Sequence, residues 1–280
     1  MKTGIHLLID HRHGFTLLEL VVVVAVMAVL STVALRSMTG VASQSRFEAT
    51  QRTLDQIREA TLGSAYDRQP DGTLVNSGFI ADAGRPPRTL DELIRQPADL
   101  LPFDVGRASA DTDVLVSGGW RGPYIRLPAG VTNLCDGWAT ALIETRNAGG
   151  YLETVGSCGA DGLPGGTGYD LDLSSSFTPA DCTASLSGLV TMADATNVVA
   201  CSVTLVVYGP GTNRIVQSYS SPITFPLNYR FENTLSKGTR AVRAYADYGT
   251  GITNNYQRSP VIYLNIRSGL NIQNLTIDRP

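Results

Sequence analysis

The chain has 280 residues, with 22 Lys and Arg against 25 Asp and Glu, and a formal net charge of -3. Its 43% hydrophobic and 17% charged content excludes a disordered chain and calls for an ordered core. With so weak a net charge and no basic stripe, nucleic acid is excluded as the expected partner. His6, His11 and His13 all precede Gly14. A chain cleaved there would hold no histidine, which rules out a Ser-His-Asp triad, a Cys-His pair and a His-ligated zinc site.

Residues 1–14 carry Lys2 and Arg12, and residues 15–35 then read FTLLELVVVVAVMAVLSTVAL. At 1.5 Å per residue this run spans about 31 Å, matching a bilayer core of about 30 Å. The basic residues ahead of it predict a cytoplasmic leader, a single-pass anchor and an exported carboxyl-terminal region. A secretory signal peptide fits poorly, because the apolar run is too long and lacks a small-x-small cleavage site. Glu19 also argues against a plain anchor, since a carboxylate in an apolar span costs roughly 2.5–3.5 kcal/mol and calls for a partner or a function. Cleavage after Gly14 would put a new amine on Phe15, four residues before Glu19 and on the same helix face.

Gly14-Phe15-Thr16-Leu17-Leu18-Glu19 resembles the processing site of type IV prepilins and type II secretion pseudopilins. The resemblance implies cleavage after Gly14 by prepilin peptidase and methylation of Phe15. It also implies assembly of pilin or pseudopilin subunits through Glu19 on an inner-membrane assembly platform. One departure is Arg36, where the family often has proline.

The helix is predicted to continue to about residue 65. Phe47, Leu54, Ile57 and Leu62 recur at near-helical spacing among charged residues, and Gly63 with Pro70-Asp71-Gly72 ends the pattern. A head is expected over 66–173. Thr89 is a cap candidate for a short apolar helix there, followed by Trp120-Arg121-Gly122-Pro123-Tyr124-Ile125, Cys135-Asp136-Gly137-Trp138 and Gly159-Ala160-Asp161-Gly162-Leu163-Pro164-Gly165-Gly166.

In this order the motifs are similar to the head of the major type II secretion pseudopilin. The departures are Cys135 and Cys158, and Trp138-Ala139-Thr140 in place of tryptophan-glycine-asparagine. The resemblance implies calcium on the glycine-rich loop. Asp161 matches the loop aspartate, the Cys158 carbonyl stands three residues before it, and Asp170 and Asp172 supply the closing carboxylates. Calcium's preference for six to eight hard oxygen ligands agrees with this set, although Asp, Gly and Pro are also ordinary turn residues.

From residue 174 to 280 the pattern becomes short alternating strands. Cys201, Val203, Leu205 and Val207 share one face, and Ile223, Phe225, Leu227, Tyr229 and Phe231 form a second set with Pro226 suggesting an edge. An all-β sandwich is expected, with Arg230, Arg240, Arg243, Tyr245 and Tyr248 on its outer face. The even cysteine count predicts two disulfides among Cys135, Cys158, Cys182 and Cys201, with Cys135–Cys158 and Cys182–Cys201 favoured over the other pairings and over free buried thiols.

The fold class expected is therefore α+β: a pilin-like long amino-terminal helix (15–65), a small α/β head and an all-β sandwich. The expected role is a structural, non-enzymatic subunit of a type II secretion-like pseudopilus, contacting other subunits and exported cargo. The alternative is a minor type IV pilin or adhesin whose sandwich binds a surface, sugar or protein.

Overall fold

The computed structural model describes residues 16–64, 78–108, 111–192, 202–211, 217–223, 228–247 and 257–277. Helix α1, Leu17–Leu62, is 46 residues long, or about 69 Å at 1.5 Å per residue. Thr16 starts it from an extended backbone, its hydroxyl accepting the Glu19 N–H at 3.2 Å. Gly63, at φ 85°, stops it, its own N–H returning to the Glu59 carbonyl at 2.7 Å. The first half of α1 keeps Val21 to Val24 helical despite their β-branching, and its described side chains are exposed. Among the described residues no helix is long and apolar enough to cross a membrane; the described side chains of the apolar stretch end at Val33.

The second half of α1 buries Thr50, Leu54, Ile57, Ala60 and Thr61, a stripe at helical spacing. The head folds on this stripe. Its elements are α2 (Gly78–Ala83), a 3-10 turn at Leu90–Leu93, and a ribbon of β1 (Asp104–Arg107) with β2 (Leu115–Gly118). An antiparallel sheet follows, β3 (Ile143–Arg146), β4 (Leu152–Ser157) and β5 (Leu173–Ser176), with β4 central. Leu54, Ile57, Phe79, Ile80, Leu93, Leu152 and Val155 share one buried core with Phe177 and Cys182. The expected domain boundary at 173/174 thus falls inside β5. The Trp120–Ile125 motif serves this core: Tyr124 packs edge-on to Phe79, and the Trp120 indole N–H donates to the Glu92 carbonyl at 2.8 Å. Arg85 is buried against Glu92 at 2.7 Å and reaches Asp99 at 3.1 Å.

Helix α3 (Pro179–Cys182), closed by a Thr178–Asp181 capping box, leads into the second core. Among the described residues nine strands build it: β6 (Thr183–Met192), β7 (Ser202–Gly209), β8 (Gln217–Ile223), β9 (Asn228–Ser236), β10 (Gly238–Asp247), β11 (Gln257–Arg258), β12 (Ile262–Ile266), β13 (Gly269–Ile272) and β14 (Leu275–Ile277). One sheet runs β11-β10-β7-β8, with β12 also on β10; in the other, β13 and β14 lie parallel to β6 and β9 antiparallel. Between them are buried Leu186, Val203, Leu205, Val207, Tyr229, Phe231, Val242, Ile266 and Leu275. The predicted α+β architecture, with an all-β sandwich after the head, is the one observed. Phe225, Pro226, Leu227 and Tyr248 lie outside the described residues.

The sandwich's outer face differs from expectation. Arg230 is exposed, but Arg240 and Arg243 are 2% and 8% exposed, because the head covers β10 and β7. Ala108, Val114 and Val116 of the ribbon form a third core with Tyr208 and Ala241. The Asp111 carboxylate takes Arg243 Nη1 at 2.7 Å and the Tyr245 hydroxyl at 2.5 Å, while Arg243 Nε donates to the Ser259 carbonyl at 2.8 Å. Arg240 Nη1 donates to the Ala81 carbonyl of α2 at 3.3 Å. Gly238, at φ 116°, lets the turn before β10 lie on α2: a Cβ there would stand 2.7 Å from that of Ala81. Alternation alone assigns these arginines to solvent; a second module turns that face inward.

Candidate assembly segment and glycine-rich loop

Gly14 and Phe15 lie outside the described residues. Glu19 sits in the first turn of α1, exposed, with its backbone N–H already taken by Thr16. A carboxylate there is favoured by the partial positive charge of the helix amino terminus, and its side chain projects from an apolar, exposed helical surface.

The glycine-rich loop follows β4 and leads through a 3-10 turn, Gly168–Asp170, into β5. Asp161 Oδ1 accepts the Leu163 N–H at 3.0 Å, Asp172 Oδ2 accepts the Gly165 N–H at 2.9 Å, and the Ala160 N–H reaches the Tyr169 carbonyl at 2.9 Å. Tyr169 ties the loop to α1, packing edge-on to Phe47 and donating from its hydroxyl to Gln44 Oε1 at 3.2 Å. Asp161 and Asp172 are exposed and Asp170 is half-buried. Partial burial, then the carboxylates of Asp172, Asp161 and Asp136, raise the Cys158 thiol above its ordinary value. Acidic groups therefore gather around Cys158, and their oxygen chemistry suits calcium. Among the described residues, however, no three His, Cys, Asp or Glu side chains are grouped to hold a metal. An ion here would need backbone carbonyls beside the carboxylates.

The expected Cys135–Cys158 bridge is not formed; both are free thiols. Cys135 instead pairs with Ala141 in an isolated antiparallel bridge. Cys182 is also a free thiol, buried and pushed up to about 11 by that burial; Cys201 lies outside the described residues.

The turn after Cys135 is a site that the motif alone does not explain. Asp136 is buried; its Oδ1 accepts the N–H groups of Trp138 and Thr140 at 2.9 and 2.8 Å, and its Oδ2 accepts the Ser157 hydroxyl at 2.6 Å. Ala139 is held at φ 64°, the position where the resembling heads carry glycine. A left-handed backbone costs an L-residue roughly 1–2 kcal/mol. Ala139→Gly is therefore expected to stabilise the chain by about 1 kcal/mol, read as a higher denaturation midpoint at unchanged slope; an unchanged or lower midpoint would contradict the strain.

Fold and site together define a pilin-like architecture: a long helix with an exposed apolar first half, an acidic residue in its first turn and a small head on its second half. Here it carries an added β-sandwich. Residues 9–35 match the family described as the prokaryotic N-terminal methylation motif. Over 160 residues the chain is 29% identical to the type II secretion system core protein G of Xanthomonas campestris pv. campestris, covering 57% of this chain and 87% of that protein.

Proposed function

We propose that the chain is a structural subunit of a type II secretion-like pseudopilus, cut after Gly14 by prepilin peptidase and methylated at Phe15. In this reading residues 15–35 hold the subunit in the inner membrane, with the head and sandwich in the periplasm. Assembly then draws α1 out of the bilayer and pairs Glu19 with the Phe15 amine of a neighbour. The observation that carries the proposal is Glu19 in the first turn of an exposed apolar helix, within the methylation motif. Such a carboxylate gains most from a cationic partner in an apolar setting. Glu19→Ala is expected to leave membrane insertion intact and to reduce recovery of the subunit in sheared filaments at least tenfold; undiminished recovery would remove Glu19 from the mechanism.

A minor position in the filament is favoured by the sandwich, which packs on α2 and the β1–β2 ribbon, and α2 itself abuts Gly63 at the end of α1. An added domain at that end is easier to accommodate at a tip than within a shaft. The same placement favours the second reading, a type IV pilin or adhesin, since Leu270 and Ile272 on β13 are 58% and 71% exposed. Removing residues 183–280, which leaves β5 and the head core whole, separates the two. Lost adhesion with intact secretion supports the adhesin, and the reverse supports the secretion subunit.

Calcium on the loop is a further part of the proposal, supported by the oxygen donors of Asp161, Asp170 and Asp172 with the Cys158 carbonyl. Calorimetric titration of the full chain in detergent is expected to give calcium heat and a raised melting temperature, both lost in Asp161→Asn. No heat and no shift would refute the site.

A further inference from the structure

We propose that the glycine-rich loop is a lipid-contacting element, seating Leu163 and Leu171 in the headgroup layer of the bilayer that holds α1. This rests on the reading of residues 15–35 as a membrane span. The argument begins with direction. Tyr169, just before β5, meets α1 at Gln44 and Phe47, while Ser176, at the end of β5, accepts Arg58 Nη1 at 2.6 Å. Strand β5 therefore climbs α1 away from the apolar half. Its antiparallel partner β4 descends, and the loop after Ser157 is the part of the sheet nearest the apolar half. The turn at 136–140 lies at the same level, its Gly137 N–H donating to Thr50 Oγ1 at 2.9 Å.

Distances along the helix set the reach that contact requires. From Leu35 to Gln44 the rise is about 14 Å, and each headgroup layer is roughly 5–8 Å thick, so the loop enters that layer by extending about 6–9 Å beyond Gln44 toward Leu35.

Side-chain directions also agree. The Asp161 and Asp172 carboxylates are turned back onto loop N–H groups, while Leu163 and Leu171 are 63% and 46% exposed. On the helix, Val41 is 68% exposed and stands one turn before Gln44, on its side of α1. Leu163, Leu171 and Tyr169 extend this exposed apolar surface onto the head. Tyrosine is an ordinary residue of the membrane interface. The acidic loop disfavours anionic lipid, so the partner is a zwitterionic surface.

The test uses the full chain in phosphatidylcholine vesicles brominated near the headgroup or deep in the acyl chains. Three tryptophan variants are compared, each against the wild-type signal: Leu163→Trp on the loop, Val26→Trp in the span and Ile272→Trp on the sandwich. The expected result is deep-bromine quenching of Val26→Trp, shallow-bromine quenching of Leu163→Trp by at least twofold, and none for Ile272→Trp. Quenching of Val26→Trp with Leu163→Trp no more quenched than Ile272→Trp would overturn the loop contact and leave the span standing. No quenching of Val26→Trp would overturn both. Leu163→Trp shielded only at high protein-to-lipid ratio, without bromine quenching, would assign the loop to a second copy of the chain and overturn the proposal.

Discussion

Arg243→Met is expected to destabilise the protein by about 3–5 kcal/mol, the usual loss when one partner of a buried ion pair is removed. Arg243 and Asp111 have side chains only 9% and 2% exposed and meet at 2.7 Å. Without Arg243, Asp111 keeps the Tyr245 hydroxyl, the Asp113 N–H at 3.2 Å and a distant Arg258 at 3.5 Å. The loss should be read by chemical denaturation of the full chain in detergent. Because the pair joins the head ribbon to β10, the single transition is expected to split in two as head and sandwich uncouple. A shift below about 1 kcal/mol with one cooperative transition would show that the apolar contacts of Val114, Val116 and Ala241 suffice.

The same pair sets an acid limit. Burial raises the Asp111 carboxyl, but the Tyr245 hydroxyl, the Asp113 N–H and the Arg243 charge together bring it below its ordinary 3.8. A carboxylate whose folded pKa is depressed contributes stability that is full above the unfolded value and is lost as pH falls through the folded one. The Asp111 contribution should therefore be intact above about pH 5 and fade in stronger acid. In Asp111→Asn that part of the acid dependence should vanish.

Gly137→Ala carries the second large effect. A Cβ at Gly137 would stand 2.0 Å from the Arg46 carbonyl oxygen, backbone against backbone, so neither side can yield by a rotamer change. Overpacking of this kind costs typically 1–3 kcal/mol and more where the backbone must shift. Here the turn must leave α1, breaking its bond to Thr50, which is fully buried. Hydrogen exchange is expected to speed up at 136–140 and on the adjoining helix face. Gly40→Ala is the control: nothing lies within 4 Å of its Cβ, and alanine in a helix interior should be neutral or stabilising by up to about 1 kcal/mol. Equal stability of the two variants would mean that the turn does not rest on α1.

Much of the architecture was legible because local chemistry specifies it. Gly14 to Glu19 and the apolar run after them carry their meaning in order and spacing, and Gly63 ends the helix where the periodic pattern stops. Val203, Leu205 and Val207 alternate as a half-buried strand must, and they face the sandwich core. Other features depend on contacts between distant segments. Asp111-Thr112-Asp113 reads as an ordinary polar turn until Arg243 arrives from 132 residues away. Arg240 and Arg243 occupy the polar face of an alternating strand, and that pattern cannot show that the head will cover it. The Cys135–Cys158 pairing was favoured because it keeps the bridge within one module, whereas the structure leaves both thiols free. Sequence by itself thus determined the processing motif, the long helix, the order of the head segments and the presence of a β-sandwich, since each follows from periodicity, capping or a contiguous motif. Only the tertiary structure decided which face of the sandwich meets the head, which charges are buried and which end of the head bears the glycine-rich loop, because these depend on long-range packing that no local pattern encodes.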